Sequence, residues 1–133
     1  MALKKNLMDL ANEVRSMGIV EEIDAEEFKA LIDEEEGEAV VVVDVREPEE
    51  YAQGHVPGAV NVPRGVIEMK LEKACFDGNA SEADLERPVV LYCAGGHRSV
   101  MAGKSLCDQG FTDVRSLEGG MNGYVQADGE VEV

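Results

Sequence analysis

Leu3, Leu7, Leu10, Val14 and Met17 recur at intervals of four, three, four and three residues, the spacing of one face of an amphipathic helix. Gly18 is placed to stop it. That apolar face is expected to pack on the domain's own core. The alternatives are a docking helix for a partner protein or a second copy, and a helix lying on a lipid surface. Residues 1–18 thus read as an N-terminal amphipathic extension ahead of a domain over 19–133. Gly18 to Ile23 predicts a short edge strand. Asp24 starts a helix, with Glu27 three residues later as a capping box and Phe28, Leu31 and Ile32 as its apolar face. Glu34 to Glu36 form a solvated face, and Gly37 ends the element. Ala39 to Val43 is continuous, apolar and β-branched, the pattern of a central strand buried on both sides, with Asp44 at its C-terminal end.

The alternation continues downstream. Glu47 to Gln53 predicts a short helix that tolerates Pro48 in its first turn. Gly54 to Gly58 is a turn and Ala59 to Val62 a strand. Pro63 and Arg64 lead into a segment through Lys73 that can be helical, and Asp77 to Asp84 is a polar connection with room for a short helix. Val89 to Tyr92 is another buried strand, Ser99 to Gln109 a helix, Val114 to Leu117 a strand and Met121 to Ala127 a last helix. Strands alternating with helices at short intervals predict an α/β domain with a mostly parallel sheet.

Composition changes the picture in two ways. Asp and Glu number 28 against 12 Lys and Arg, a net charge of -16 on 133 residues. A chain this acidic is not expected to coat nucleic acid or an anionic membrane, which also disfavours the lipid-surface reading of the first helix. With 44% hydrophobic residues it still has the material for a core. Lys4 and Lys5 are followed by Asp9 and Glu13 rather than an apolar stretch, which argues against a signal peptide. No run approaches the roughly 18 apolar residues of a membrane span. Three cysteines, Cys75, Cys93 and Cys107, make a poor disulfide framework and fit reduced thiols. A soluble, cytoplasmic protein is the expectation.

The candidate chemistry centres on Cys93-Ala94-Gly95-Gly96-His97-Arg98-Ser99. Open α/β sheets bind ligands at the C-terminal ends of their strands, and Cys93 stands at such an end, just before a helix. Glycines let the loop turn sharply and aim several N–H groups at one point. The helix start and Arg98 add positive potential. Each effect favours the thiolate at Cys93 over the thiol and makes it a candidate nucleophile. The plain alternative is a buried core cysteine followed by an ordinary strand-to-helix turn. A cradle of N–H groups suits an anion, so the thiolate could take a sulfur atom from thiosulfate or a persulfide and hold it as a persulfide. No metal or other cofactor is needed. Four residues separate Cys93 from Arg98, whereas the common cysteine-dependent phosphatases carry five, so the smaller ring better suits a single sulfur.

On these residues the chain resembles the rhodanese homology domain family, in particular its small single-domain sulfurtransferases. Val43-Asp44-Val45-Arg46, with Glu47 to Tyr51, is similar to the family's D-V-R segment. Gly54-His55-Val56-Pro57-Gly58-Ala59-Val60-Asn61-Val62-Pro63 is similar to its G-H-I-P-G-A-x-N-I-P motif. Cys93 to Arg98 matches its loop C-x-x-G-x-R. Gly119-Gly120-Met121-Asn122-Gly123-Tyr124 resembles its closing G-G-x-x-x-W, with Tyr124 in place of Trp and Met121 where another aromatic often stands; both are expected to be core positions beside the site. The resemblance implies a rhodanese-like three-layer α/β domain, a central parallel five-stranded sheet flanked by helices. It implies that Cys93 carries the persulfide, with Ala94, Gly95, Gly96, His97, Arg98 and Ser99 binding substrate or persulfide. Asp44 and Arg46 would support the loop, with Arg46 paired to an acid such as Glu50.

The remaining candidates are weaker. His55 reads as a hydrogen-bonded turn histidine of the G-H-V-P-G motif. His97 either adds a donor near the sulfur or faces solvent, and Arg64 is a candidate for the rim of the site. Lys104 is expected to point to water. Cys107 reads as a small buried hydrophobe. Cys75, in a connection between elements, is a candidate resolving thiol. The expected activity is transfer of sulfane sulfur from thiosulfate or a persulfide donor to a thiol, cyanide or thioredoxin-like acceptor. The rivals are a sulfur carrier or interaction module that meets a partner through the N-terminal helix, and a phosphatase or arsenate reductase.

Overall fold

The computed structural model describes residues 2–33 and 40–133. Helix α1 runs over Leu7–Met17, β1 over Glu21–Ile23, α2 over Ala25–Asp33, β2 over Val41–Asp44, α3 over Pro48–Gln53 and β3 over Val60–Asn61. A 3-10 turn at Arg64–Val66 leads into α4, Ile67–Phe76, and a second one, Asp84–Glu86, precedes β4, Val89–Tyr92. Then come α5, His97–Asp108, β5, Val114–Leu117, and α6, Gly120–Gln126. The five strands form one sheet in the order β1-β5-β4-β2-β3, and all four pairings are parallel. This is the α/β architecture expected, with β1 at an edge and β4 in the centre. Among the described residues no helix is long and apolar enough to cross a membrane.

The period-2 alternation of strand side chains divides the core into two layers. Val89 and Leu91 of β4 face one cluster with Val43, Ile67, Leu71, Val100 and Leu106. Val90 and Tyr92 face the other, with Phe28, Met121 and Tyr124. So α1, α4 and α5 cover one side of the sheet, and α2 and α6 the other. A strand buried on both faces has no polar positions to spare, which is why β4 reads as a continuous apolar run. Met121 and Tyr124 are core residues, as expected from the closing motif; Tyr124 meets Phe28 edge to face at 5.6 Å.

Several boundaries follow local chemistry. Asn6 caps α1 in a capping box with Asp9. The Asp24 carboxylate accepts the Glu27 N–H at 2.9 Å, as the sequence implied. At the start of α3 the Glu47 N–H donates to the Glu50 carboxylate at 2.9 Å, and Pro48 sits in the first turn. The expected Glu34–Glu36 face, the Gly37 stop and Ala39 at the start of the strand lie outside the described residues.

Three expectations change. Helix α5 begins two residues earlier than Ser99, so His97 and Arg98 belong to its first turn. Cys75 lies within α4, not in a connection. In α1 the buried residues are Ala11 and Val14, which pack on the α5 side of the core. Leu3, Leu7, Leu10 and Met17 remain exposed, Leu3 by 79% and Met17 by 51%. Helix α1 packs on the core as expected, but of the predicted stripe only Val14 does so, joined by Ala11.

Candidate active site

Cys93 follows the last residue of β4 and is 1% exposed. Its sulfur accepts the N–H of Gly96 at 3.1 Å and lies 3.5 Å from the Ser99 hydroxyl. Ser99 in turn meets the Ser116 hydroxyl of β5 at 2.8 Å. Gly96 holds φ at 101°, a left-handed conformation that turns its N–H back over the sulfur. It is also the N-cap of α5 and supplies no capping side chain. The first-turn N–H groups of α5 therefore receive no side-chain cap and are left to serve an anion. Cys93, Gly96 and the start of α5 are thus brought together at the end of β4.

The loop is held from outside by the closing motif. The first N–H groups of α6 donate to loop carbonyls, Met121 to Cys93 at 2.8 Å and Asn122 to Ala94 at 3.1 Å. A side chain at Gly120, which has φ of 55°, would bring Cβ within 2.4 Å of the Cys93 oxygen and 2.6 Å of the Ala94 oxygen. Gly120 is thus required by backbone contact between two loops, and Gly119 by its left-handed φ of 78°.

Arg98 points its guanidinium fork at Glu50, with hydrogen bonds of 2.9 and 3.1 Å. The Arg98 hydrogen bond pulls the Glu50 carboxyl down to about 2. In return Glu50, and after it Cys93, holds Arg98 in its charged form. The expected pairing of Arg46 with Glu50 is not the one that forms. Arg46 instead grips the fully buried Asp44, Nε to Oδ1 at 3.0 Å and a terminal nitrogen to Oδ2 at 2.7 Å, and donates to the Gly54 carbonyl at 2.7 Å. Arg46 is two residues from Asp44 on the same strand end, whereas α3 presents Glu50 towards α5. Arg98 is thus an ion-paired cation beside the loop, and the Gly96 N–H supplies the hydrogen bond that the sulfur receives.

The D-V-R and G-H-V-P-G-A-V-N-V-P segments form one support. Asn61 donates to the carbonyls of Asp44 and Arg46 at 2.9 and 3.0 Å. Tyr51 donates to the Ala59 carbonyl at 2.9 Å. His55 stacks on Tyr51 with centroids 3.8 Å apart and donates from Nδ1 to the Tyr51 carbonyl at 3.1 Å. It is the hydrogen-bonded turn histidine expected. Arg64 caps a surface hollow with Gly65, Glu68, Met101, Lys104 and Ser105, and no described hydrogen bond ties it to the loop. Lys104 pairs with Asp108 on the exposed side of α5.

All three cysteines are free thiols. Burial pushes Cys75 up to about 11, and it packs against the hydrophobic core from α4. A thiol held protonated in this way is a poor resolving nucleophile. Cys107 is partly buried and donates to the Ile19 carbonyl at 3.4 Å. Burial raises it as well.

Sequence reasoning missed two contacts to the loop. Ser116 gives no signal beyond being polar in a strand. Arg15 of α1 reaches His97 Nδ1 at 3.1 Å from 82 positions away, and no local pattern encodes that.

A thiol under a backbone N–H at the head of a helix, on a five-stranded parallel sheet, defines a cysteine-centred α/β domain. A rhodanese-like domain matches residues 24–127. The chain belongs to the rhodanese-like domain family, and its chemistry is, at that level, that of a sulfurtransferase. It is 36% identical over 97 residues to the thiosulfate sulfurtransferase GlpE of Shewanella oneidensis, covering 73% of this chain and 87% of that one. A sulfurtransferase of Allochromatium vinosum is 36% identical over 103 residues, 77% of this chain and 86% of that one. Among solved structures, a Rhodopseudomonas palustris protein of unknown function, described as a possible tyrosine phosphatase, superposes with a TM-score of 0.81. It is 29% identical, and the match covers 99% of this chain and 98% of that one.

Proposed function

We propose that the protein moves sulfane sulfur through a Cys93 persulfide, with thiosulfate or a persulfide as donor. The observation that carries this reading is the 3.1 Å contact of the Gly96 N–H with the Cys93 sulfur at the uncapped start of α5. In the first half-reaction the Cys93 thiolate attacks the outer sulfur of thiosulfate. An S–S bond forms on Cys93, the S–S bond of thiosulfate breaks, and sulfite leaves with the electron pair. In the second, a thiolate, cyanide or a thioredoxin-like thiol attacks the terminal sulfur and Cys93 leaves as thiolate. Gly96 N–H and the first turn of α5 hold the charge that alternates between Sγ and the terminal sulfur. Arg98, fixed by Glu50, closes the ring of the loop.

Mass spectrometry after thiosulfate treatment should find a gain of about 32 Da, one sulfur atom, on the peptide that contains Cys93. A Cys93→Ala protein that keeps full transferase activity refutes the assignment. The exposed apolar residues of α1 favour a second reading, a sulfur carrier that docks a partner there. Slow turnover of every small acceptor with fast transfer to a protein acceptor would select it. A phosphatase would need room for a tetrahedral group, and four residues between Cys93 and Arg98 leave a tight ring. Cys93-dependent hydrolysis of an aryl phosphate would restore that reading.

A further inference from the structure

The geometry points to Arg15, on the N-terminal helix, as a positioning residue of the Cys93 site, acting through His97 and Gly96. The inference rests on the sulfur-transfer reading of that site. Arg15 directs its guanidinium at four acceptors. Nε donates to Glu22 of β1 at 2.9 Å, and one terminal nitrogen donates to Asn12 at 2.8 Å. The other terminal nitrogen meets His97 Nδ1 at 3.1 Å and approaches the Gly96 carbonyl at 3.5 Å. Glu22 and Asn12 thus set the plane of the fork, and the remaining nitrogen is delivered to the head of α5. The approach of α1 is set by Ala11 and Val14, which are buried.

A guanidinium has no acceptor and does not lose its proton in a protein. Its contact with Nδ1 therefore requires that nitrogen to carry a lone pair, which puts the ring proton of His97 on Nε2. Arg15 so selects one tautomer of a histidine that directly follows the residue whose N–H holds the Cys93 sulfur. The ring then keeps a single donor, Nε2–H. The same Arg15 nitrogen lies near the carbonyl of Gly96, in the Gly96–His97 peptide that directly follows the one whose N–H meets the sulfur. The contact also makes α1 part of the site rather than an appendage.

The test uses the full chain as wild type, R15M and R15K. Met keeps a long stem and good helix propensity but no donor; Lys restores one donor. Long-range 1H–15N NMR reads the tautomer of His97, assigned by comparison with H97Q. The proton is expected on Nε2 in the wild type, in tautomeric exchange in R15M, and back on Nε2 in R15K. Sulfur loading of Cys93 from thiosulfate should slow about fivefold to tenfold in R15M and recover in part in R15K. A wild-type proton on Nδ1, an unchanged tautomer in R15M, or an altered tautomer with unaltered loading overturns the proposal. If no variant and no wild-type protein loads sulfur, the sulfur-transfer reading fails, and the spectra still decide whether Arg15 selects the tautomer.

Discussion

Replacing Gly120 with alanine should damage the site from the opposite side of the sheet's C-terminal edge. The added Cβ would stand 2.4 Å from the Cys93 oxygen, 2.6 Å from the Ala94 oxygen and 2.7 Å from the Ala94 carbon. All three are backbone atoms, so no rotamer change relieves the clash. Restoring even a tight contact of about 3.0 Å moves the two loops apart by about 0.6 Å. That strains the hydrogen bonds from Met121 and Asn122 to the Cys93 and Ala94 carbonyls, now 2.8 and 3.1 Å. Two such bonds contribute about 0.5–1.5 kcal/mol each. A left-handed φ costs alanine a further 1–2 kcal/mol or so. The total is about 3 kcal/mol, and for a chain of this length Tm should fall by about 10 °C. Displacing a nucleophile by a large fraction of an ångström also slows chemistry, by about tenfold to a hundredfold. Thermal melting and the rate of sulfur loading on Cys93 read the two effects. Gly123→Ala is the control. Its Cβ would meet nothing closer than the Glu118 oxygen at 3.7 Å, and a residue inside α6 gains helix propensity, so Tm should hold or rise. G120A with a Tm within about 2 °C of wild type and full loading would refute the backbone-contact account.

Two further perturbations test the support beneath the loop. Asp44→Asn leaves the Arg46 guanidinium buried without its counter-charge, and urea unfolding should show a loss of about 3–5 kcal/mol; a loss under 1 kcal/mol or so would mean the pair is dispensable. Glu50→Gln should cost only about 1 kcal/mol at neutral pH, because the pair with Arg98 is partly exposed. Glu50 is lowered from 4.5 to about 2, so its stabilisation is complete above pH 4.5 and is lost as the pH falls towards 2. The wild-type advantage over E50Q should shrink across that window; an advantage that stayed constant to pH 2 would contradict the assigned pairing.

The amino-acid sequence by itself determined the elements whose causes are local. Strand β4 stands where its apolar run lies, because a strand buried on both faces has to be apolar throughout. The caps at Asn6, Asp24 and Glu47 rest on side chains within three residues of the N–H groups they satisfy. The order of Cys93, two glycines and then a helix marked the candidate site, because the turn that brings the Gly96 N–H to the sulfur is built from consecutive residues. The tertiary structure alone decided which charge meets which. Glu50 lies four residues from Arg46 yet pairs with Arg98, 48 positions away, because α3 and α5 are brought together above the sheet. It decided that Ala11 and Val14, rather than the leucines of α1, meet the domain, since helix approach depends on the partner's surface as well as on periodicity. And it decided that Arg15 touches His97. A long-range hydrogen bond has no period and no neighbour in sequence, so only the packing of α1 on α5 brings its two ends together.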